Sequence, residues 1–152
     1  MSTEPATAPQ PTVSISLTCL DASEAIDFYT RAFGAEELFR MPDADGSVAH
    51  AEFMIGNTRL FISGEAPEMN AFALPEGTMA PCLFCIATDD CDAAYTKAME
   101  AGGKSLSEPE DQFWGSRSAM ILDDYGYRWT LVQQIEDLTP EEIGERAKKL
   151  FG

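Results

Sequence analysis

The sequence predicts an α+β fold made of two tandem β-α-β-β-β units, with the helices outside a curved mixed sheet and one further helix at the C-terminus. Three observations carry this. First, in residues 17–34 a β-forming lead-in passes through Asp21 into an amphipathic run that stops at Gly34. Second, the same pattern returns 69 residues later: Asp21 falls on Asp90, Ala22 on Cys91, Ala25 on Ala94, Ile26 on Tyr95, Tyr29 on Ala98, Ala32 on Ala101 and Gly34 on Gly103. Third, each helical run is followed by three β-prone segments separated by turn residues.

The elements follow in order. Residues 13–20 are rich in β-formers. Asp21 is an N-cap, and Glu24 three residues later completes a capping box. Ala22, Ala25, Ile26, Tyr29, Ala32 and Phe33 recur at helical spacing, and Gly34 suits the left-handed position that ends a helix. Strands are predicted over 36–41, 48–55 and 58–63, with turns at 42–46 and at Gly56-Asn57. Residues 64–80, rich in Gly, Pro, Ala and Glu, read as a linker. The second unit repeats the plan: a strand over 82–87, a helix from the Asp90 cap to Gly103, strands over 104–108, 117–122 and 127–134, a loop over 109–115, and a turn at 123–126. Thr139, Pro140 and Glu142 then start a terminal helix, with Ile143, Ala147 and Leu150 as its narrow apolar face. The expected division is a disordered tail over 1–12, a first unit over 13–63, the linker, a second unit over 81–135, and the terminal helix within 136–152.

Charge narrows the function. With 26 acidic against 10 basic residues the net charge is −16. Such a surface repels phosphate backbones and anionic lipid, so neither nucleic acid nor a membrane is an expected partner. No apolar run approaches the roughly 20 residues that span a bilayer. The first dozen residues lack the basic start and apolar centre of a secretory signal, and the expected compartment is the cytoplasm. Of the cysteines, Cys82 and Cys85 form a C-x-x-C. On a strand, residues three apart point to opposite faces, so this pair cannot chelate a metal together. Buried, reduced thiols are expected for Cys19, Cys82, Cys85 and Cys91.

The tandem units, together with Ala-Ile-Asp-Phe-Tyr at 25–29, Phe-Gly-Ala-Glu at 33–36, Ala-His-Ala-Glu at 49–52, Asp-Gln-Phe-Trp-Gly-Ser-Arg at 111–117 and Glu-Asp-Leu-Thr-Pro-Glu-Glu at 136–142, resemble the vicinal oxygen chelate superfamily. That superfamily holds glyoxalase I, extradiol dioxygenases and bleomycin-resistance proteins. The finer motifs resemble its PhnB-like branch, whose members are often labelled 3-demethylubiquinone methyltransferase-like. The resemblance implies that the two sheets enclose a cup, that the protein is a homodimer, and that the enzymes of the superfamily hold a divalent metal on the first and last strand of each unit. Carried over, those metal positions are Ser14, Phe61, Leu83 and Thr130. None is an imidazole or a carboxylate, and the chain has a single histidine, so no metal cofactor is expected. Methyltransferase chemistry finds no support either, because there is no Gly-rich nucleotide loop.

The site candidates come from residue chemistry and position. His50 carries the chain's one imidazole and shares a strand face with Glu52. The pair can orient a ligand or act as base and partner, or be a hydrogen-bonded pair on the sheet surface. Phe113, Trp114 and Arg117 lie in or beside the loop over 109–115. They can stack on a planar ligand and hold its anionic group, or anchor the loop and pair with a carboxylate. Trp129 shares a face with Tyr127 and Leu131, and reads as core or as a wall of the cup. The expected activity is therefore small-molecule binding in the cup between the units. A metal-dependent, glyoxalase-like lyase that uses His50 and Glu52 as unusual ligands is the alternative.

Overall fold

A computed structural model describes residues 11–152. Of the tail expected over 1–12, residues 1–10 lie outside the described residues. The first unit runs β1 (Ile15–Thr18), α1 (Ala22–Phe33), β2 (Glu36–Pro42), β3 (Val48–Ile55) and β4 (Thr58–Ser63). The second runs β5 (Leu83–Ala87), α2 (Cys91–Glu100), β6 (Lys104–Asp111), β7 (Ser116–Leu122) and β8 (Arg128–Gln134), and α3 (Pro140–Phe151) follows. Each unit forms a four-stranded mixed sheet, in the orders β1-β4-β3-β2 and β5-β8-β7-β6. β1 pairs parallel with β4, and β5 pairs parallel with β8, which requires the crossover that each helix supplies. This is the α+β architecture the repeat predicts.

The caps fall where the sequence puts them. Asp21 accepts from the Glu24 N–H, Asp90 from that of Ala93 and Thr139 from that of Glu142. Gly34 ends α1 at φ 69°. The second unit departs from this: α2 ends at Ala101, and the positive φ passes to Gly102. Gly103 sits where a Cβ would lie 3.0 Å from the Ala98 carbonyl oxygen. That glycine permits close packing and does not cap the helix. β6 also runs three residues past its expected end. Pro109 has no N–H to donate, yet β6 is an edge strand whose register slips between Ser107 and Glu110, and an edge tolerates this.

Side-chain alternation gives each sheet a core face and an open face. In the first sheet Leu17, Ala51, Phe53, Leu60 and Ile62 are buried. In the second, Ala119, Ile121, Trp129 and Leu131 are buried. These faces meet in one shared core. Tyr29 of α1 lies 5.2 Å, ring to ring, from Trp129 of β8, and Phe33 lies 4.9 Å from it. Asp123, only 2% exposed, bridges Tyr29 and Trp129. It accepts from the Tyr29 hydroxyl at 2.6 Å, the Trp129 indole N–H at 3.0 Å and the backbone N–H groups of Tyr125 and Tyr127 at 2.9 Å each. Burial raises its carboxyl pKa above the usual range, against the lowering effect of those four donors. A second stitch joins the units at Tyr127, whose hydroxyl accepts from the Thr18 N–H and donates to the Thr18 carbonyl, both at 3.2 Å.

The linker folds back onto the second unit. The Ala80 N–H donates to the Gly126 carbonyl at 2.8 Å, and a single 3-10 turn occupies Pro67–Met69. No described helix is long and apolar enough to cross a membrane. The four thiols are free, but only Cys19 and Cys91 are buried. Cys82 and Cys85 are exposed, contrary to expectation, because β5 is an edge strand and Cys85 points to its open face.

Candidate functional site

The open face of the first sheet carries the strongest constellation. Register places Phe39 beside Glu52, Met41 beside His50, and Phe61 beside Glu52 on the other flank. His50 thus lies between two aromatic rings, 6.0 Å from Phe39 and 5.5 Å from Phe61. Its Nε2 stands 3.5 Å from Glu52 Oε2, and Arg59 Nη1 stands 3.5 Å from Glu52 Oε1. The Glu52 side chain is only 14% exposed, and the Arg59 guanidinium compensates its charge. The sequence identified His50 and Glu52 as a pair on one face. It did not reveal Arg59 or Phe39, because cross-strand register decides which side chains flank them.

A cavity of about 1200 Å³ opens at the end of this face. It is lined by the first unit and the start of the linker, with His50, Met41 and Met69 among its walls. Five carboxylates line it: Asp21, Asp43, Asp45, Glu65 and Glu68. No lysine or arginine does. Hydrogen bonds from Ser47 lower the Asp45 pKa, which keeps that carboxylate ionised.

The other candidates are placed apart from it. Arg117 lies on the core side of β7, where it bonds Asp92 at 2.8 and 3.0 Å and Asp111 at 2.8 Å. It staples α2 to the sheet edge, and both carboxylates already use its donors. Trp129 is 2% exposed and belongs to the shared core, out of reach of a ligand on either open face. Phe113 packs edge-on against Trp114 at 5.0 Å and against Phe151 of α3 at 5.7 Å. Arg146 of α3 donates to the Phe113 carbonyl and binds Glu136 through two nitrogens. The terminal helix therefore docks on its own chain at this loop, although none of its residues is buried. Trp114 remains 43% exposed and walls a cavity of about 620 Å³ in the second unit.

Both cavities are lined by one unit and the chain that follows it, not by the two units together. The cause lies in the core: the units meet through their helix-covered faces, which turns the open faces away from the junction.

The superfamily resemblance implies a divalent metal, and the donor set can be tested for fit. Register puts Phe61, Leu83 and Thr130 on open faces, and Ser14 precedes β1. A phenyl, an isobutyl and two hydroxyls supply neither imidazole nor carboxylate. Among the described residues, no three His, Cys, Asp or Glu side chains stand close enough to hold a metal ion. These positions do not fit the metal. On this open face, the Thr130 hydroxyl and the Arg128 Nε are shielded from solvent and lack a hydrogen-bond partner among the described residues.

Comparison with known proteins agrees with this architecture. Residues 12–131 match the model of the Glyoxalase/Bleomycin resistance protein/Dioxygenase superfamily. An uncharacterised protein of Mycobacterium bovis is 33% identical over 137 residues, covering 88% of this chain and 90% of that protein. Among solved structures, TioX from Micromonospora sp. ML1 superposes with a TM-score of 0.67 at 22% identity, over 82% of this chain and 99% of TioX. A glyoxalase/bleomycin resistance protein/dioxygenase from Nocardioides gives 0.66 at 22% identity, over 89% and 91%. The tandem units, their shared core and the family match together lead to one conclusion: this chain belongs to the glyoxalase/bleomycin resistance protein/dioxygenase superfamily.

Proposed function

We propose that this chain is a metal-independent, small-molecule-binding member of its superfamily, of the PhnB-like kind, and that its ligand is an organic cation with an apolar body. The observation that carries this is the cavity on the open face of the first sheet, which combines five carboxylates, no basic lining residue and the apolar side chains of Met41 and Met69. A cation entering it is attracted by the lining and loses little of that attraction to competing protein cations. His50, held between Phe39 and Phe61 and beside Glu52, is a polar group at the wall that orients the ligand. The same reading makes the protein a homodimer, since Phe39 and Met41 leave an apolar patch on edge strand β2 and the open sheet faces are uncovered in one chain.

The test is a thermal-shift screen of aromatic and aliphatic ammonium compounds against neutral and anionic analogues. A ligand present at about 100 times its Kd stabilises by about 2.7 kcal/mol, or roughly 5–11 °C for a chain of this size. A screen in which no cation stabilises more than its neutral analogue refutes the proposal. The metal-dependent alternative rests on the His50–Glu52 pair, two donors 3.5 Å apart on one face. Elemental analysis of the purified protein, with His50→Ala beside it, separates the two. Stoichiometric Zn, Ni, Mn or Fe that is lost in the variant favours the alternative.

A further inference from the structure

The internal repeat places the two cavities at equivalent points. In the first unit the cavity is floored by Thr18 and Ser63, which pair in register, and by Val48 at the start of β3. In the second, Ala87 and Val132 pair in register at the matching positions, and Ser116 starts β7. The second cavity, of about 620 Å³, has its own chemistry. Trp114 presents a partly exposed indole. Val132, Ala87 and Leu138 supply apolar wall. Of its two carboxylates, Glu136 is neutralised by Arg146. Asp89 has no hydrogen bond or ion pair among the described residues, and no lysine or arginine lines the space. Gln133 is also engaged, its side-chain oxygen accepting from the Cys91 N–H at 2.9 Å.

We infer that the second unit holds a separate site for a small aromatic or quaternary ammonium ion, with Trp114 as the stacking face and Asp89 as the counter-charge. An indole attracts a cation through its quadrupole, and a nearby unpaired carboxylate adds to that attraction. The site stands on its own residues and does not depend on the first cavity being occupied.

The full-length chain is titrated with benzyltrimethylammonium chloride, with benzyl alcohol as the neutral control, and followed by 1H–15N NMR and tryptophan fluorescence. Trp114 and Trp129 are the chain's two tryptophans, and Trp129 is buried, so surface quenching reports Trp114. The expected result is quenching together with shifts at Thr88, Gly115 and Ser116. Trp114→Ala and Asp89→Asn each weaken this binding about twofold to fivefold, the size of a partly exposed cation–π contact or ion pair. Asp89 is an exposed side chain without partners among the described residues, so Asp89→Asn decides the matter if Trp114→Ala disturbs the loop. Equal binding of benzyl alcohol, wild-type affinity in Asp89→Asn, or shifts confined to Ser16, His50 and Gly64 would overturn the inference. The last result leaves the function proposed above standing. Shifts at the Trp114 cavity alone leave only this second site, and no shifts at either cavity remove both.

Discussion

Tyr29→Phe tests whether the two units are joined chemically or merely packed. The change removes one hydroxyl and keeps the ring, so the contacts with Phe53, Phe33 and Trp129 survive. What disappears is the 2.6 Å hydrogen bond to Asp123. A hydrogen bond to a charged, buried acceptor contributes about 1.5–3 kcal/mol. At roughly 2–4 °C per kcal/mol for a chain of this length, Tm falls by about 3–12 °C. Asp123→Ala is harsher, because it strands the Tyr29 hydroxyl, the Trp129 indole N–H and two backbone N–H groups in a site 2% exposed. With about 1–3 kcal/mol for each of these four buried unsatisfied groups, the loss is at least ~4 kcal/mol. Urea denaturation of both single variants and of the double variant closes the cycle, with Trp129 fluorescence reporting the junction. The double variant is expected to lose about 1.5–3 kcal/mol less than the sum of the singles. Additivity to within about 0.5 kcal/mol refutes the view that Tyr29 and Asp123 form one inter-unit clasp.

Three further expectations follow from the same geometry. Burial holds the Asp123 carboxyl above its unfolded value near ~3.9, so its contribution to stability is full below that value and is lost as pH rises through the folded one. Asp123→Asn cannot ionise and flattens that part of the pH–stability curve; an unchanged curve would contradict the assignment. Gly126→Ala is expected to cost about 1–3 kcal/mol, because φ is +92° and a Cβ there would lie 2.8 Å from the Thr78 carbonyl oxygen and 2.7 Å from Leu74 Cδ1; a variant as stable as wild type in urea would show that the linker docks otherwise. Arg117→Met is expected to leave ligand binding intact and to let the Asp92 carboxyl, now held low by the Arg117 hydrogen bond, return toward its ordinary value by NMR titration; loss of binding in that variant would restore Arg117 as a ligand group.

The amino-acid sequence by itself determined the elements and their repetition. Local chemistry suffices for that: an Asp, Asp or Thr cap with its partner N–H three residues on, a glycine able to hold φ 69° after α1, and alternation that separates Leu60 and Ile62 from Arg59 and Phe61. It also set His50 and Glu52 on one face, since a strand's side-chain period is two. Only the tertiary structure decided which faces meet. Arg117 and Trp129 carry the residue types of a ligand site, yet cross-unit and helix packing direct them to Asp92 and Asp123. Arg59 and Phe39 were unremarkable in sequence and reach Glu52 and His50 only through the pairing of β2 and β4 with β3. The location of the cavities depends on the same packing. The units join through their helix-covered faces because those faces carry the apolar side chains, and burying them against each other leaves both open faces to solvent.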